Sequence, residues 1–208
     1  PDVPKHKGLS TFAIKMDTPG ITIRPLVNMA GTHEFNEIFF EDVRVPAANL
    51  VGEENRGWYN VAVGLDFERS SIGATSNSRR MVDDLVTYLR TEKPRIDNAV
   101  KHRLVDEAIG VALLRNMAYY IASRQGKTGI APTREAQMAK LFGAELQQRI
   151  AATALQVFGM EGQAHRPVSR AASYRYGLLR SVANTIEGGT SEIQRSVIAT
   201  RGLGLPRE

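Results

Sequence analysis

The stretch from Asn98 to Arg124, NAVKHRLVDEAIGVALLRNMAYYIASR, sets Leu104, Ala108, Val111, Leu114, Ala118 and Ile121 at intervals of three and four. That spacing predicts a helix with one buried face, ending at Gly126. Upstream, a helical segment runs from about Trp58 to Leu89 and is stopped by Pro94, which has no backbone donor to continue it. Downstream, Pro132 sits at the first turn of a third helix, which continues through Met138, Leu141, Leu146, Ile150 and Leu155 to Gly159. A fourth spans Val168 to Ile186. A short fifth begins after Gly188-Gly189, where Ser191 and Gln194 have capping-box spacing. Four long amphipathic helices with short connections predict an up-down bundle.

Before Gly52 the period is two rather than 3.6. Thr11–Met16, Ile21–Leu26 and Asn36–Phe40 alternate as short strands. Between the first two lies Asp17-Thr18-Pro19-Gly20, where Pro presets the second residue of a turn and Gly supplies the positive φ of the third. Three short strands are too few to bury both faces of a sheet. The chain is therefore expected to be a fragment cut from the middle of a larger sheet.

Composition narrows the class. Apolar residues make up 42% and charged residues 24%, which fits a soluble globular fold. No apolar run approaches the length of a membrane span. Pro1-Asp2-Val3-Pro4-Lys5 lacks the apolar segment of a secretory signal. The absence of cysteine excludes disulfides and thiolate metal sites and suits a reducing cytoplasm. His6, His33, His102 and His165 have no spacing suited to a metal site. The net charge of +5 comes from Lys and Arg scattered among Asp and Glu, with no polybasic run for nucleic acid.

Three segments together resemble the acyl-CoA dehydrogenase family. The first is Asn36-Glu37-Ile38-Phe39-Phe40-Glu41-Asp42-Val43-Arg44-Val45-Pro46, with Leu50-Val51-Gly52-Glu53 and Gly57-Trp58 behind it. The second is Gln156-Val157-Phe158-Gly159-Met160-Glu161-Gly162. The third is Ile186-Glu187-Gly188-Gly189-Thr190-Ser191-Glu192-Ile193-Gln194-Arg195. Their order and separations span essentially the whole chain. The resemblance implies that residues 1–52 are the tail of a central β-domain and residues 53–208 a C-terminal four-helix bundle. It also implies an FAD enzyme that desaturates an acyl-CoA thioester between its α and β carbons. The implied assembly is a homo- or hetero-tetramer, with electron-transfer flavoprotein as acceptor. The 208 residues alone are expected to be inactive.

Many members of that family carry their base as a Glu immediately before Gly-Thr in the third segment. Here that position is Gly188. Glu187 is one residue upstream, and one helical step turns a side chain by about 100°. A second arrangement within the family puts the Glu on the first bundle helix and Gly at the signature position. Leu65-Asp66-Phe67-Glu68-Arg69-Ser70 resembles it, with Glu68 as the base and Asp66, Phe67 and Arg69 along the acyl-CoA path. The N–H of Gly188 is then assigned to the thioester oxygen.

For the flavin, the resemblance points to Gln156, Val157 and Gly159, and to Thr190, Ser191 and Glu192 at a helix N-terminus. Many members also carry an Arg-x-x-Phe-Gly segment that reaches a neighbouring subunit's flavin. This chain has Arg90-Thr91-Glu92-Lys93-Pro94-Arg95 in its place, so that contact is weakened, absent or supplied by a partner. Two other readings stand beside the enzyme: a silent subunit completing a partner's flavin site, and a relative that has moved to nucleic acid.

Overall fold

Pro25 interrupts an otherwise alternating run, and a proline offers no donor to a neighbouring strand. The computed structural model describes residues 3–69, 73–130, 132–164 and 169–206, with the side chains of 66–69, 73 and 74 left out. In it Ile21–Val27 forms β1, and His33–Phe40 forms β2, antiparallel to it. The register runs from Ile21↔Phe40 to Val27↔His33, with one irregularity after Leu26. The Asn28 carboxamide oxygen shapes the turn between them, accepting from the N–H groups of Ala30 (2.9 Å) and Thr32 (3.2 Å). The Thr18-Pro19-Gly20-Ile21 turn forms as expected, with Gly20 at φ +90° and Ile21 N–H bonded to Thr18 O at 3.1 Å. The expected strand at Thr11–Met16 does not form. Only Phe12 bridges, to Leu50, because the neighbouring backbone at 47–49 is a 3-10 turn that offers no ladder.

The chain divides into two compact units, Pro1–Leu65 and Asp66–Glu208. The helix α1 (Gly57–Arg69) crosses that boundary. Within the first unit its start is tied down by Gly57 N–H to Leu9 O at 2.8 Å and by the Asn60 carboxamide to Val51 O at 3.0 Å. A Cβ at Gly57 would lie 2.5 Å from Thr11 Oγ1, so only glycine fits that approach.

The second unit holds α2 (Gly73–Glu92), α3 (Asn98–Thr128), α4 (Thr133–Phe158), α5 (Met160–Gln163), α6 (Arg170–Asn184) and α7 (Ser191–Val197), closed by a π-turn at Ile198–Gly202. The segment expected as one helix from Trp58 to Leu89 is thus described as α1 and α2, and residues 70–72 between them lie outside the described residues. The helix expected to stop at Gly126 runs on to Thr128. An interior glycine costs only about 1 kcal/mol, and the left-handed stop is Gly129 (φ +69°), whose N–H reaches Gln125 O. Pro132 precedes its helix rather than opening it, in an extended conformation. The fourth long helix starts at Arg170, where Ser169 Oγ accepts from Ala172 N–H. Val168, its expected start, lies outside the described residues.

The core gathers Val82 and Leu85 from α2, Val100, Leu104, Val111 and Leu114 from α3, and Leu146, Ile150, Ala154 and Val157 from α4. Phe158 stacks obliquely between Tyr88 (4.7 Å) and Tyr174 (5.5 Å), and the Tyr174 hydroxyl donates to Met81 O at 2.8 Å. Gly110 and Gly143 bring α3 and α4 close: a Cβ on either would meet Leu146 or Leu114 at 3.0 and 3.3 Å. Ala108, expected in the α3 core face, is exposed, and Glu107 is buried in its stead.

Glu107 Oε1 accepts from Thr153 Oγ1 at 2.6 Å, while Oε2 is buried with no hydrogen-bond partner. Burial pushes its pKa up, opposed by the Thr153 bond and by the charges of Arg149 and Arg103. A carboxyl whose folded pKa exceeds its unfolded value of about 4.3 favours folding at low pH, and that advantage is lost as pH rises through the folded pKa. Glu107→Gln keeps an acceptor for Thr153 and removes the ionisation. Its melting temperature should match wild type in mild acid and exceed it at pH 8. Equal melting at pH 8 would show that burial of this carboxylate carries no penalty.

Candidate functional site

Between α6 and α7 the chain must turn without a helical hydrogen-bond ladder, and two adjacent glycines supply the turn. Gly188 has φ +65° and Gly189 φ +105°. The turn is closed by Glu187 N–H to Ala183 O (2.8 Å) and Ser191 N–H to Thr185 O (3.0 Å). At Gly188 an added Cβ would have Lys140 Cε as its nearest neighbour, at 3.7 Å, so the space admits a side chain. At Gly189 a Cβ would lie 2.6 Å from Gln194 Nε2, so the space does not.

Gln194 is 1% exposed. Its Nε2 donates to Gly188 O (3.0 Å) and to Gly189 O (3.3 Å). Its Oε1 is buried without a partner, at a cost of about 1–3 kcal/mol. The half-buried Lys140 on α4 donates through Nζ to the same Gly189 carbonyl. Thr190, not Ser191, caps α7: its Oγ1 accepts from Ile193 N–H at 3.2 Å. The expected capping pair was displaced by one residue because Gln194 turns inward to the glycines, leaving Ser191 as the first, buried helical residue. The exposed Glu192 carboxyl is held below its ordinary pKa by its own backbone N–H and the Thr190 hydroxyl.

Glu187 is engaged. Arg180 reaches it with both guanidinium nitrogens, Nη1 to Oε1 at 3.2 Å and Nη2 to Oε2 at 3.1 Å. Arg180 also bonds Asn184 Oδ1 at 2.9 Å, and Asn184 in turn donates to Gln147 on α4. A fork-to-carboxylate pair of this kind fixes orientation as well as charge.

Gly188 and Thr190 in the turn and Ser191 and Glu192 at the start of α7 are therefore contiguous. Gln156, Val157 and Gly159 stand at the far end of α4, about 24 Å from Lys140 at 1.5 Å per residue. The two sets serve either two places or the two ends of one extended ligand. Val157 is buried in the core at 5% exposure, which leaves only its main chain for a ligand. Gln156 Oε1 accepts from Arg103, beside a cavity of about 220 Å³ shared with Arg149 and Glu107. Gly159 (φ +55°) has nothing within 4 Å of an added Cβ, so a flat group can approach its backbone closely. The two guanidinium groups of this cavity stand beside the Asp106 and Glu107 carboxyls, so its charge is mixed, and the fit to a polar portion of FAD rests on the open backbone at Gly159. At the other end the anionic Glu192 suits hydroxyl donors and disfavours phosphate.

Asp66, Phe67, Glu68 and Arg69 lie on the last turn of α1 by backbone, and their side chains are outside the described residues. The residues that sequence reading missed are Lys140, Arg180 and Arg103. Gln194 was visible but assigned to a cap. Among the described residues no cluster of His, Asp and Glu could hold a metal ion. No helix among them is long and apolar enough to cross a membrane.

The family model described as "Acyl-CoA dehydrogenase, C-terminal domain" matches residues 55–203. Acyl-CoA dehydrogenase IpdE1 of Mycobacterium tuberculosis is 35% identical over 98% of this chain and 52% of its own length. Cyclohexane-1-carbonyl-CoA dehydrogenase of Geobacter metallireducens is 31% identical over 93% of this chain and 52% of its own. The solved Tcur3481–Tcur3483 steroid ACAD superposes with a TM-score of 0.88 at 26% identity, over 100% of this chain and 55% of that one. The ChsE4–ChsE5 complex from Mycobacterium tuberculosis gives 0.80 at 27% identity, over 98% and 55%. The chain belongs to the acyl-CoA dehydrogenase family, and it spans about half the length of the curated relatives it matches.

The loop geometry separates its two glycines. Gly188→Ala should cost about 1–2 kcal/mol, the left-handed penalty for an L residue. Gly189→Ala should cost more, because its methyl also displaces Gln194. Thermal melts of the two variants should rank in that order, and a Gly189→Ala variant as stable as wild type would contradict the described turn.

Proposed function

We propose that the protein containing this chain catalyses FAD-dependent α,β-dehydrogenation of an acyl-CoA thioester, with Glu68 as the base that removes the α proton. The observation that carries this reading is the state of the carboxylates around the signature loop. Position 188 has room for a side chain and carries none. Glu187 is clasped by Arg180. Glu192 is held in its ionised, weakly basic form by two donors. A base must come from another element, and Glu68 on α1 is the carboxylate at the position where the family resemblance expects one.

FAD, when bound, supplies the acceptor for the β hydrogen, which leaves as hydride with its electron pair. The chain's own residues do the rest. Glu68 takes the α hydrogen as a proton, and the electron pair left on the α carbon closes the new double bond. Negative charge that builds on the thioester oxygen is met by main-chain donors of the Gly188 loop. Asp66, Phe67 and Arg69 line the acyl-CoA path, and Gln156, Val157, Gly159, Thr190, Ser191 and Glu192 contact the cofactor. Electrons leave to electron-transfer flavoprotein, and the assembly is a tetramer.

A hetero-oligomer is favoured over a homo-oligomer by one feature. The α2–α3 connection turns through Lys93 (φ +47°) and Pro94, with no Phe-Gly to reach a neighbouring flavin. Two of the structural relatives are themselves named as pairs of chains. The silent-subunit reading then belongs to the partner, because this chain keeps Glu68.

The test compares the two candidate carboxylates in the holoenzyme, with its partner if one copurifies. Glu68→Gln should bind FAD and acyl-CoA yet slow anaerobic flavin reduction by at least about a hundredfold. Glu187→Gln should stay within severalfold of wild type. The reverse pattern would move the base to Glu187 and leave the family intact.

A further inference from the structure

The Gly188–Gly189 turn is held from outside by two side chains that neither cap a helix nor fill the core. Gln194 Nε2 bonds both glycine carbonyls, at 3.0 and 3.3 Å, and Lys140 Nζ bonds the second. The carboxamide cannot be turned over, because its oxygen would then face two carbonyl oxygens. The grip comes from two separate elements, α4 and α7, so the turn is fixed in both position and tilt.

In a planar trans peptide the N–H points opposite to the C=O. Anchoring Gly188 O therefore directs the Gly189 N–H away from Gln194. Anchoring Gly189 O directs the Thr190 N–H away from Lys140.

We propose that Lys140 and Gln194 are positioning residues for acyl-CoA oxidation: by holding the Gly188 and Gly189 carbonyls from two elements they fix the position and tilt of the turn, and with it the direction of the Gly188 N–H assigned to the oxygen that becomes negative in the reaction. The proposal rests on the acyl-CoA dehydrogenase reading and adds two residues to it. It needs no new reactant, since neither side chain exchanges a proton or an electron with the substrate.

The experiment uses the holoenzyme and an acyl-CoA that reduces the wild-type flavin. Lys140→Met keeps the length and apolar stem and removes the donor and charge. Lys140→Arg keeps both. Lys140→Met should lower flavin reduction at saturating acyl-CoA by at least about tenfold while acyl-CoA affinity changes less than threefold or so. Amide hydrogen exchange of the 188–190 segment should rise in the same variant, and Lys140→Arg should restore most of both. Gln194→Met should act in the same direction. If it fails to fold, the Lys140 pair decides alone. A Lys140→Met enzyme with wild-type reduction and unchanged loop exchange overturns the proposal. Loss of rate in step with lost flavin or lost melting temperature overturns it too, since that is a purely structural role. Should no acyl-CoA reduce the wild-type flavin, the dehydrogenase reading fails. The exchange comparison then decides the loop clasp separately, with faster exchange upholding it and unchanged exchange ending it.

Discussion

The burial of α4 on nearly every side is the constraint from which the rest of the second unit follows. Leu146, Ile150, Ala151 and Ala154 are each 0% exposed, and α2, α3, α5, α6 and α7 all pack against this one helix. Small residues make that possible. Ala136, Gly143, Ala144, Ala151 and Ala154 let neighbouring backbones approach, and Gly110 on α3 answers Gly143 from the other side. Close-packed helices of this sort move little, which suits a post that must hold polar loops in place.

The turn between α6 and α7, and the two helices it joins, are tied to this post by polar contacts. At its first half, Lys140 holds the Gly188–Gly189 turn and Glu145 pairs with Arg195 on α7 at 2.6 Å. Further along, Gln148 bonds Ser181 O at 2.9 Å, and Gln147 accepts from Asn184. The buried Gln194 oxygen is the cost of this arrangement, since it is an acceptor withdrawn from water without a partner. A core of hydrocarbons alone would be more stable. It would not fix the direction of a peptide N–H.

The helices were legible because burial on one face leaves a period that no other structure imitates. Leu104, Val111, Leu114, Ala118 and Ile121 all lie where the spacing put them. The reading faltered where the buried residue was not apolar. Glu107 enters the α3 face where Ala108 was expected, and Met138 is 41% exposed although it continues the apolar spacing of α4. The strand reading failed at Thr11–Met16 because alternation says nothing about whether a partner strand exists. At the site, the paired glycines and the vacancy at 188 were visible, since both depend on residue identity. The clasp by Lys140 and the Arg180–Glu187 pair were not, because they join residues 49 and 7 positions apart through packing. Gln194 was misread for a simpler reason: its spacing from Ser191 also fits a capping box.

The measurement that bears most directly on the account is a crystal structure of the holoenzyme with an acyl-CoA that has no β hydrogen, so that binding is complete and dehydrogenation cannot follow. A Glu68 carboxylate oxygen is expected within about 3–3.5 Å of the α carbon, with Glu187 still paired with Arg180 and the thioester oxygen against the Gly188 N–H. A structure with Glu68 in solvent and Glu187 released from Arg180 onto the α carbon would contradict it.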